Sequence, residues 1–410
     1  MGRANGCANS RKDMEFHARA PRLKIASRRR ARGLACGAAL RHGAGVRPSS
    51  PKERIVAEAR RLGFDAVGVG RADLPLDADF DRYEAFVDDG MHGGMSWLAA
   101  SREARRALDS EHILLGAKSV ICVARRYGRT EDEEQADPVL ARSIARYARG
   151  RDYHNGLRKK LRKIARLVRT LGTAEEPAQA RPMCDDAPVL ERAWAARAGL
   201  GFVGKNGLII VPGVGSLVLL GEVVTTLELE ADPPIPERCG ACTRCLDVCP
   251  TKAFVKPFVL DPRLCVAYLT IEHREAIPEP LREGIGDRLF GCDDCQTICP
   301  FNASSRQKPR AGGDARFEAD PRWATTSLRD LVGLDEPAYA RLREGTPVAR
   351  ATRVGLARNA AVVLGNRGSH DDLETLERAR RGHDAEIVRE AAGWAVTRIE
   401  RRARDAAKEG

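Results

Sequence analysis

Eight of the chain's twelve cysteines fall between Cys239 and Cys299. In CGACTRCLDVCP, Cys239, Cys242, Cys245 and Cys249 follow the spacing C-x2-C-x2-C-x3-C, and Pro250 closes the run. This is the spacing of two-cluster bacterial ferredoxins, in which the fourth thiolate ligates the other cluster. A second run, CDDCQTICP, supplies Cys292, Cys295 and Cys299, and Cys265 in DPRLCVAYL is the nearby thiol that completes the count. The spacing assigns Cys239, Cys242, Cys245 and Cys299 to one 4Fe–4S cluster and Cys249, Cys265, Cys292 and Cys295 to the other. The rival reading is a pair of zinc sites. Zinc knuckles rarely carry three thiols at two-residue gaps with a fourth before proline, and here the pattern is built twice. A chain with two such centres moves single electrons and needs a terminal acceptor.

These thiols need a scaffold, and 410 residues with 43% hydrophobic content are enough for two or three cored domains. The net charge of +12 is concentrated at one end: residues 1–50 carry twelve Lys/Arg against two Asp/Glu. That end reads as a disordered basic extension, or as a start assigned too far upstream. Its SRRRARGLACGAALRHG lacks the apolar length of an export signal. No stretch is long and apolar enough to suggest a membrane span, because GLIIVPGVGSLVLLG is short and broken by proline and glycines.

Folded sequence is expected from Pro51, where Ser49 and Ser50 offer a helix cap. DAVGVG and AKSVICVARRY read as strands, residues 155–172 as an amphipathic helix, and PVLERAWAARAGLG as another helix. Strands at 208–211 and 217–225 follow. Alternating helices and strands over 51–230 predict an α/β domain. The cysteine region spans 231–310, and a helical domain of HEAT-like repeats spans 311–410. Residues 339–368 hold six arginines (Arg341, Arg343, Arg350, Arg353, Arg358, Arg367) against Glu344 alone, a basic patch suited to a polyanion. Gly199, Gly201 and Gly204 match G-x-G-x-x-G, but the helix precedes them and the strand follows, the reverse of a dinucleotide site. The glycines instead serve a tight turn or the approach of a flat ligand. In CDDAPVLER, adjacent acids at a helix start read by pattern as a cap.

RYARGRDYH, DDAPVLERAWAARAGLGFVGKN, CGACTRCLDVCPTKAF, LDPRLCVAYLTIEHR and IGDRLFGCDDCQTICPFN together resemble the epoxyqueuosine reductases over residues 51–400. The resemblance implies cobalamin in the α/β domain, a ferredoxin-like domain with two 4Fe–4S clusters, and a tRNA-binding helical end. The implied reaction reduces the epoxide of epoxyqueuosine at the tRNA wobble position to queuosine, on the tRNAs for Tyr, His, Asn and Asp. An external low-potential donor supplies the electrons. A cytoplasmic location and a monomer are the default expectations.

The family's general acid maps onto Asp185, whose pKa should be raised by burial against corrin and substrate. Arg106, Tyr153, His154, Gly201, Gly204, Lys205 and Asn206 are implied cobalamin or substrate contacts. Arg350, Arg353 and Arg358 are the implied phosphate contacts. A corrinoid dehalogenase shares this plan but acts on a small organohalide. A ferredoxin fused to a binding module would leave residues 185–226 without a purpose. Cys184 has no assigned role.

Cys265→Ser should remove one cluster: a chain that binds about eight irons when loaded should retain about four. Iron analysis after anaerobic reconstitution checks this.

Overall fold

The computed structural model describes residues 50–303 and 314–409. The basic extension expected over 1–50 lies outside the described residues, apart from Ser50. Ser50 caps the helix Pro51–Arg61 in a reciprocal capping box with Glu53. The strands are β1 (Ala66–Arg71), β2 (Ser119–Arg126), β3 (Ala180–Met183), β4 (Phe202–Val203), β5 (Ile209–Ile210), β6 (Val218–Thr225), β7 (Phe254–Lys256) and β8 (Val259–Leu260).

SVICVARR forms β2, buried at every position. It lies inside a four-stranded sheet of order β1-β2-β6-β3 in which all pairings are antiparallel. The edge strand β3 tolerates Pro182 because an edge residue need not donate to the ladder. Successive residues of β2 point to opposite faces. Ile121 and Val123 join Leu157, Leu161, Ile164 and Val168 of the helix His154–Arg169. Val120, Cys122 and Ala124 join Trp194 and Ala195 of the helix Glu191–Arg197. Helices therefore cover both faces, which is why the strand carries no polar alternation. Each fully buried Leu or Ile on these faces contributes about 1.5–3 kcal/mol.

The G-x-G-x-x-G stretch is a helix end followed by the β4–β5 hairpin. Gly199 adopts φ +65° just after the helix Glu191–Arg197. A Cβ on Gly201 would collide with the Ile210 carbonyl across the hairpin. The chain's own close approach thus explains both glycines.

The cysteine region carries two short helices, Arg244–Asp247 and Asp294–Thr297, which face each other, and the β7–β8 hairpin. The C-terminal part is helical, with Thr352–Arg367, Leu373–Gly382 and Glu386–Glu409 packed together. Its core runs without interruption into Ile144 and Ala148, and into Leu269, Ile285 and Phe290. Residues 48–410 accordingly form one compact unit. No helix among the described residues is long and apolar enough to cross a membrane.

One expectation is overturned. Arg358, anticipated as a phosphate contact, is 1% exposed. Its guanidinium donates to the carbonyls of Leu269, His273 and Glu275, and Asn359 Nδ2 beside it donates to those of Thr270 and Leu289. These are the orphan carbonyls at the end of the helix Val266–Ile271. The arginine is a buried clamp, so Arg358→Ala should cost about 3 kcal/mol of stability, seen as a lower urea midpoint. The salt dependence of RNA binding should stay unchanged.

Candidate active site and electron centres

Two cavities lie on opposite faces of the β4–β5 hairpin. Lys205, Asn206 and Ile210 line a cavity of about 230 Å³ together with Cys239, Cys242, Cys245 and Cys299. Leu208 and Ile209 line a second, of about 180 Å³, together with Tyr153, Asp185, Glu191, Arg192, Ser216, Val218, Leu219 and Leu220. The alternation of Ile209 and Ile210 along β5 separates them by one backbone layer. Lys205 Nζ donates to the Cys242 carbonyl at 3.1 Å and also to that of Gly240, so it holds the thiol loop. Asn206 Nδ2 is buried on the same side, with no partner among the described residues. The structure thus places Lys205 and Asn206 with the thiols rather than with Asp185.

The other four thiols interact with one another. Charge couples Cys265 to Cys249, Cys292 to Cys265, and Cys295 to both Cys292 and Cys265. Cys295 also senses Cys245, so the two sets adjoin. Cys265 precedes the first residue of the helix Val266–Ile271, and Cys249 Sγ accepts from Ala253 N at 3.3 Å.

Asp185 follows β3 with φ +52°, a left-handed conformation for a non-glycine residue. Its backbone N–H donates to Glu191 Oε1 at 2.9 Å. Tyr153 Oη donates to Asp185 Oδ2 at 2.9 Å. His154 Nε2 lies 3.4 Å from the same oxygen, while its Nδ1 is 2.7 Å from Asp152 Oδ1. Desolvation pulls the Asp185 carboxyl upward, but hydrogen bonds from His154 and Tyr153 and the charges of His154 and Arg350 outweigh it. The group is held below the usual carboxylate range. This reverses the expected upward shift: in the open site, donors and cations win. The hydrogen bonds to Asp152 and then Asp185 push His154 up to about 9, so it is an imidazolium at neutral pH.

Of the remaining anticipated residues, Arg106 is exposed, paired with Asp77, and absent from the Asp185 cavity. Arg353 is tied to Glu336 at 2.7 Å and to Asp384. Arg350 pairs with Glu272 at 2.8 Å, lies 4.4 Å from the Trp97 ring centre, and acts electrostatically on Asp185. Cys184 is a buried small residue of the core beneath the helix His154–Arg169.

Sequence reasoning missed Trp97, 43% exposed beside Arg350, and the acids Glu191 and Glu222. Glu222 is 1% exposed, and neither of its oxygens has a hydrogen-bond donor among the described residues. A lone charge inside the apolar run LVLLGEVV was the available signal.

A raised histidine pKa adds stability that is fully present below the unfolded value of ~6.5 and is lost as pH rises through the folded value. Asp152→Asn removes the larger raising partner. Its His154 should titrate well below the wild-type midpoint near 9 in an NMR titration.

Residues 108–186 match the family model described as epoxyqueuosine reductase QueG, DUF1730, and residues 238–302 match the 4Fe–4S double cluster binding domain. An epoxyqueuosine reductase of Xanthomonas campestris pv. campestris is 41% identical over 354 residues, covering 85% of this chain and 96% of the relative. One from Escherichia coli is 35% identical, covering 85% and 90%. A crystal structure of epoxyqueuosine reductase with an epoxyqueuosine-modified tRNA-Tyr stem loop superposes with a TM-score of 0.74 at 29% identity, covering 85% of this chain and 90% of that one. A Bacillus subtilis epoxyqueuosine reductase with its catalytic aspartate loop swung out of the active site superposes equally well. The fold, the paired cysteine runs and this similarity along nearly the whole length of its relatives place the chain in the epoxyqueuosine reductase family of oxidoreductases.

Proposed function

We propose that this chain reduces the epoxide of epoxyqueuosine at the wobble position of tRNA to the cyclopentene of queuosine. The observation that carries this reading is the hairpin. It sets a cavity holding Asp185 and Tyr153 one backbone layer from a cavity lined by four thiols. In this reading Cys239, Cys242, Cys245 and Cys299 hold one 4Fe–4S cluster and Cys249, Cys265, Cys292 and Cys295 the other. The unpartnered Asn206 Nδ2 fits an acceptor in the first cavity.

The apolar wall of Leu208, Ile209, Val218, Leu219 and Leu220, facing Asp185 and Tyr153, fits one face of a flat corrin. When bound, cobalamin would supply a strongly reducing, nucleophilic centre for opening a strained C–O bond. The chain's own residues do the rest. Tyr153 and His154 act on Asp185 Oδ2 and fix the carboxyl. Oδ1 has no hydrogen bond among the described residues and is the oxygen that delivers a proton to the departing epoxide oxygen. In the open site the proton resides on His154. When substrate covers the site, a neutral pair is cheaper to bury than an ion pair, which favours transfer from Nε2 to Asp185 Oδ2. General acid assistance of this kind contributes about 10²–10⁴-fold.

For the nucleic acid, the relative solved with a modified stem loop supports a tRNA substrate. Arg350 beside the exposed ring of Trp97 supplies a stacking and phosphate-facing surface near Asp185. The helical segment, read as HEAT-like, extends that surface. The tRNAs for Tyr, His, Asn and Asp, an external low-potential donor, a monomeric state and a cytoplasmic location complete the proposal.

The test is anaerobic turnover of epoxyqueuosine-containing tRNA with cobalamin and a low-potential reductant, with nucleosides read by mass. Cobalamin-dependent loss of one oxygen is expected. Asp185→Ala should lower the rate at least about 100-fold while both clusters and cobalamin stay bound. An equally active variant would remove the acid assignment, and no conversion by fully loaded wild-type enzyme would overturn the reading.

A further inference from the structure

We propose that the buried carboxyl groups of Glu191 and Glu222 share one proton and form a store that recharges Asp185 within each turnover. This rests on the epoxide-reducing reading above. That conversion breaks both C–O bonds of the epoxide and forms one C=C bond. It consumes two electrons from the external reductant and two protons, and the oxygen leaves as water. Asp185 carries one proton at a time, and the RNA that covers the cavity excludes the water that would reload it.

The geometry supplies the second proton. Glu222 lies on β6, opposite Cys122 of β2 and Met183 of β3. It is 1% exposed, and neither oxygen receives a hydrogen bond from a described donor. The carboxyl it meets is that of Glu191. An ionised carboxylate buried without donors is costly, and two carboxyls in contact cannot both ionise. One proton between them supplies the missing O–H donor. Glu191 also lines the Asp185 cavity, and its Oε1 accepts the Asp185 backbone N–H at 2.9 Å. The store therefore ends at the residue it serves.

The surrounding groups favour retention of the proton. Asp185 and Asp186 add negative charge, Arg192 opposes it at Glu191, and the thiols of Cys122 and Cys184 are held neutral by burial. The cations His154 and Arg158 are engaged by Asp185 and Asp186. Burial and the Asp185 charge push Glu191 up to about 7. The store is therefore loaded below about 7 and empties as pH rises through it. In the step itself, Asp185 Oδ1 protonates the opened epoxide oxygen. The shared proton then crosses from Glu191 to the Asp185 carboxylate, which releases the oxygen as water.

The experiment pairs infrared difference spectroscopy with kcat–pH profiles on reconstituted enzyme and epoxyqueuosine stem loop. Wild-type enzyme should show a protonated-carboxyl C=O band near neutral pH that fades as pH rises. Glu222→Gln, nearly isosteric, should abolish the band and lower kcat about 10-fold or more with KM unchanged, and Glu222→Asp should recover both. Should Glu222→Gln not fold, Glu191→Gln must show the same losses. Wild-type kcat and pH profile in a folded Gln variant would overturn the store, as would absence of the band from wild-type enzyme at pH below 7. Absence of wild-type turnover with the band present would fail the epoxide reading instead.

Discussion

The structure depends on the crossing of two thiol sets. Cys299 shares a cavity with Cys239, Cys242 and Cys245, while Cys249 interacts with Cys265 on the far side of the β7–β8 hairpin. Neither set is drawn from one continuous segment. The chain must bring residues 239–249, 265 and 292–299 together before either set exists, and short loops alone cannot hold them. Much of the surrounding polar architecture meets this demand. Arg358 and Asn359 grip the end of the helix that begins beside Cys265. Asn302 and Gln296 bind Ser216, which fixes the second cysteine run against the sheet. The buried Asp293 accepts from the Arg146 backbone N–H at 2.7 Å, tying that run to the segment before Tyr153.

The same crossing links electron handling to acid chemistry. The β4–β5 hairpin belongs to the α/β part by sequence, yet its tip is gripped by the cysteine loop through Lys205. Its two faces serve different chemistry, and strand alternation makes this possible without extra chain. The glycines at 201 and 204 keep the hairpin thin enough to serve as a common wall.

Much of the fold was legible because its signals are local. SVICVARR, the amphipathic face of residues 154–169 and the capping box at Ser50 each declare themselves within a few residues. The short edge strand β3 was not legible, since Pro182 and a length of four residues give no periodicity. The cysteine sets were legible in spacing because cluster ligation imposes fixed gaps. The arginines misled because burial is a tertiary property: Arg358 looks like its neighbours in sequence, and only packing against residues 269–275 separates it. The state of Asp185 was equally hidden, because the donors that lower it come from Tyr153 and His154, about thirty residues earlier. The glycine motif was correctly refused as a nucleotide site on element order alone, but its true partner, the Ile210 carbonyl, is visible only in three dimensions.

The left-handed backbone of Asp185 has a mechanical consequence. An L-residue held at φ +52° carries about 1–3 kcal/mol that a relaxed loop would release. The segment is therefore a loaded spring, restrained by the hydrogen bonds of Glu191 and Tyr153. Its energy is comparable to one or two such bonds. Small changes in what fills the cavity are thus enough to set whether this loop is latched or sprung. A glycine at the same position would slacken the spring and leave the latch nothing to hold.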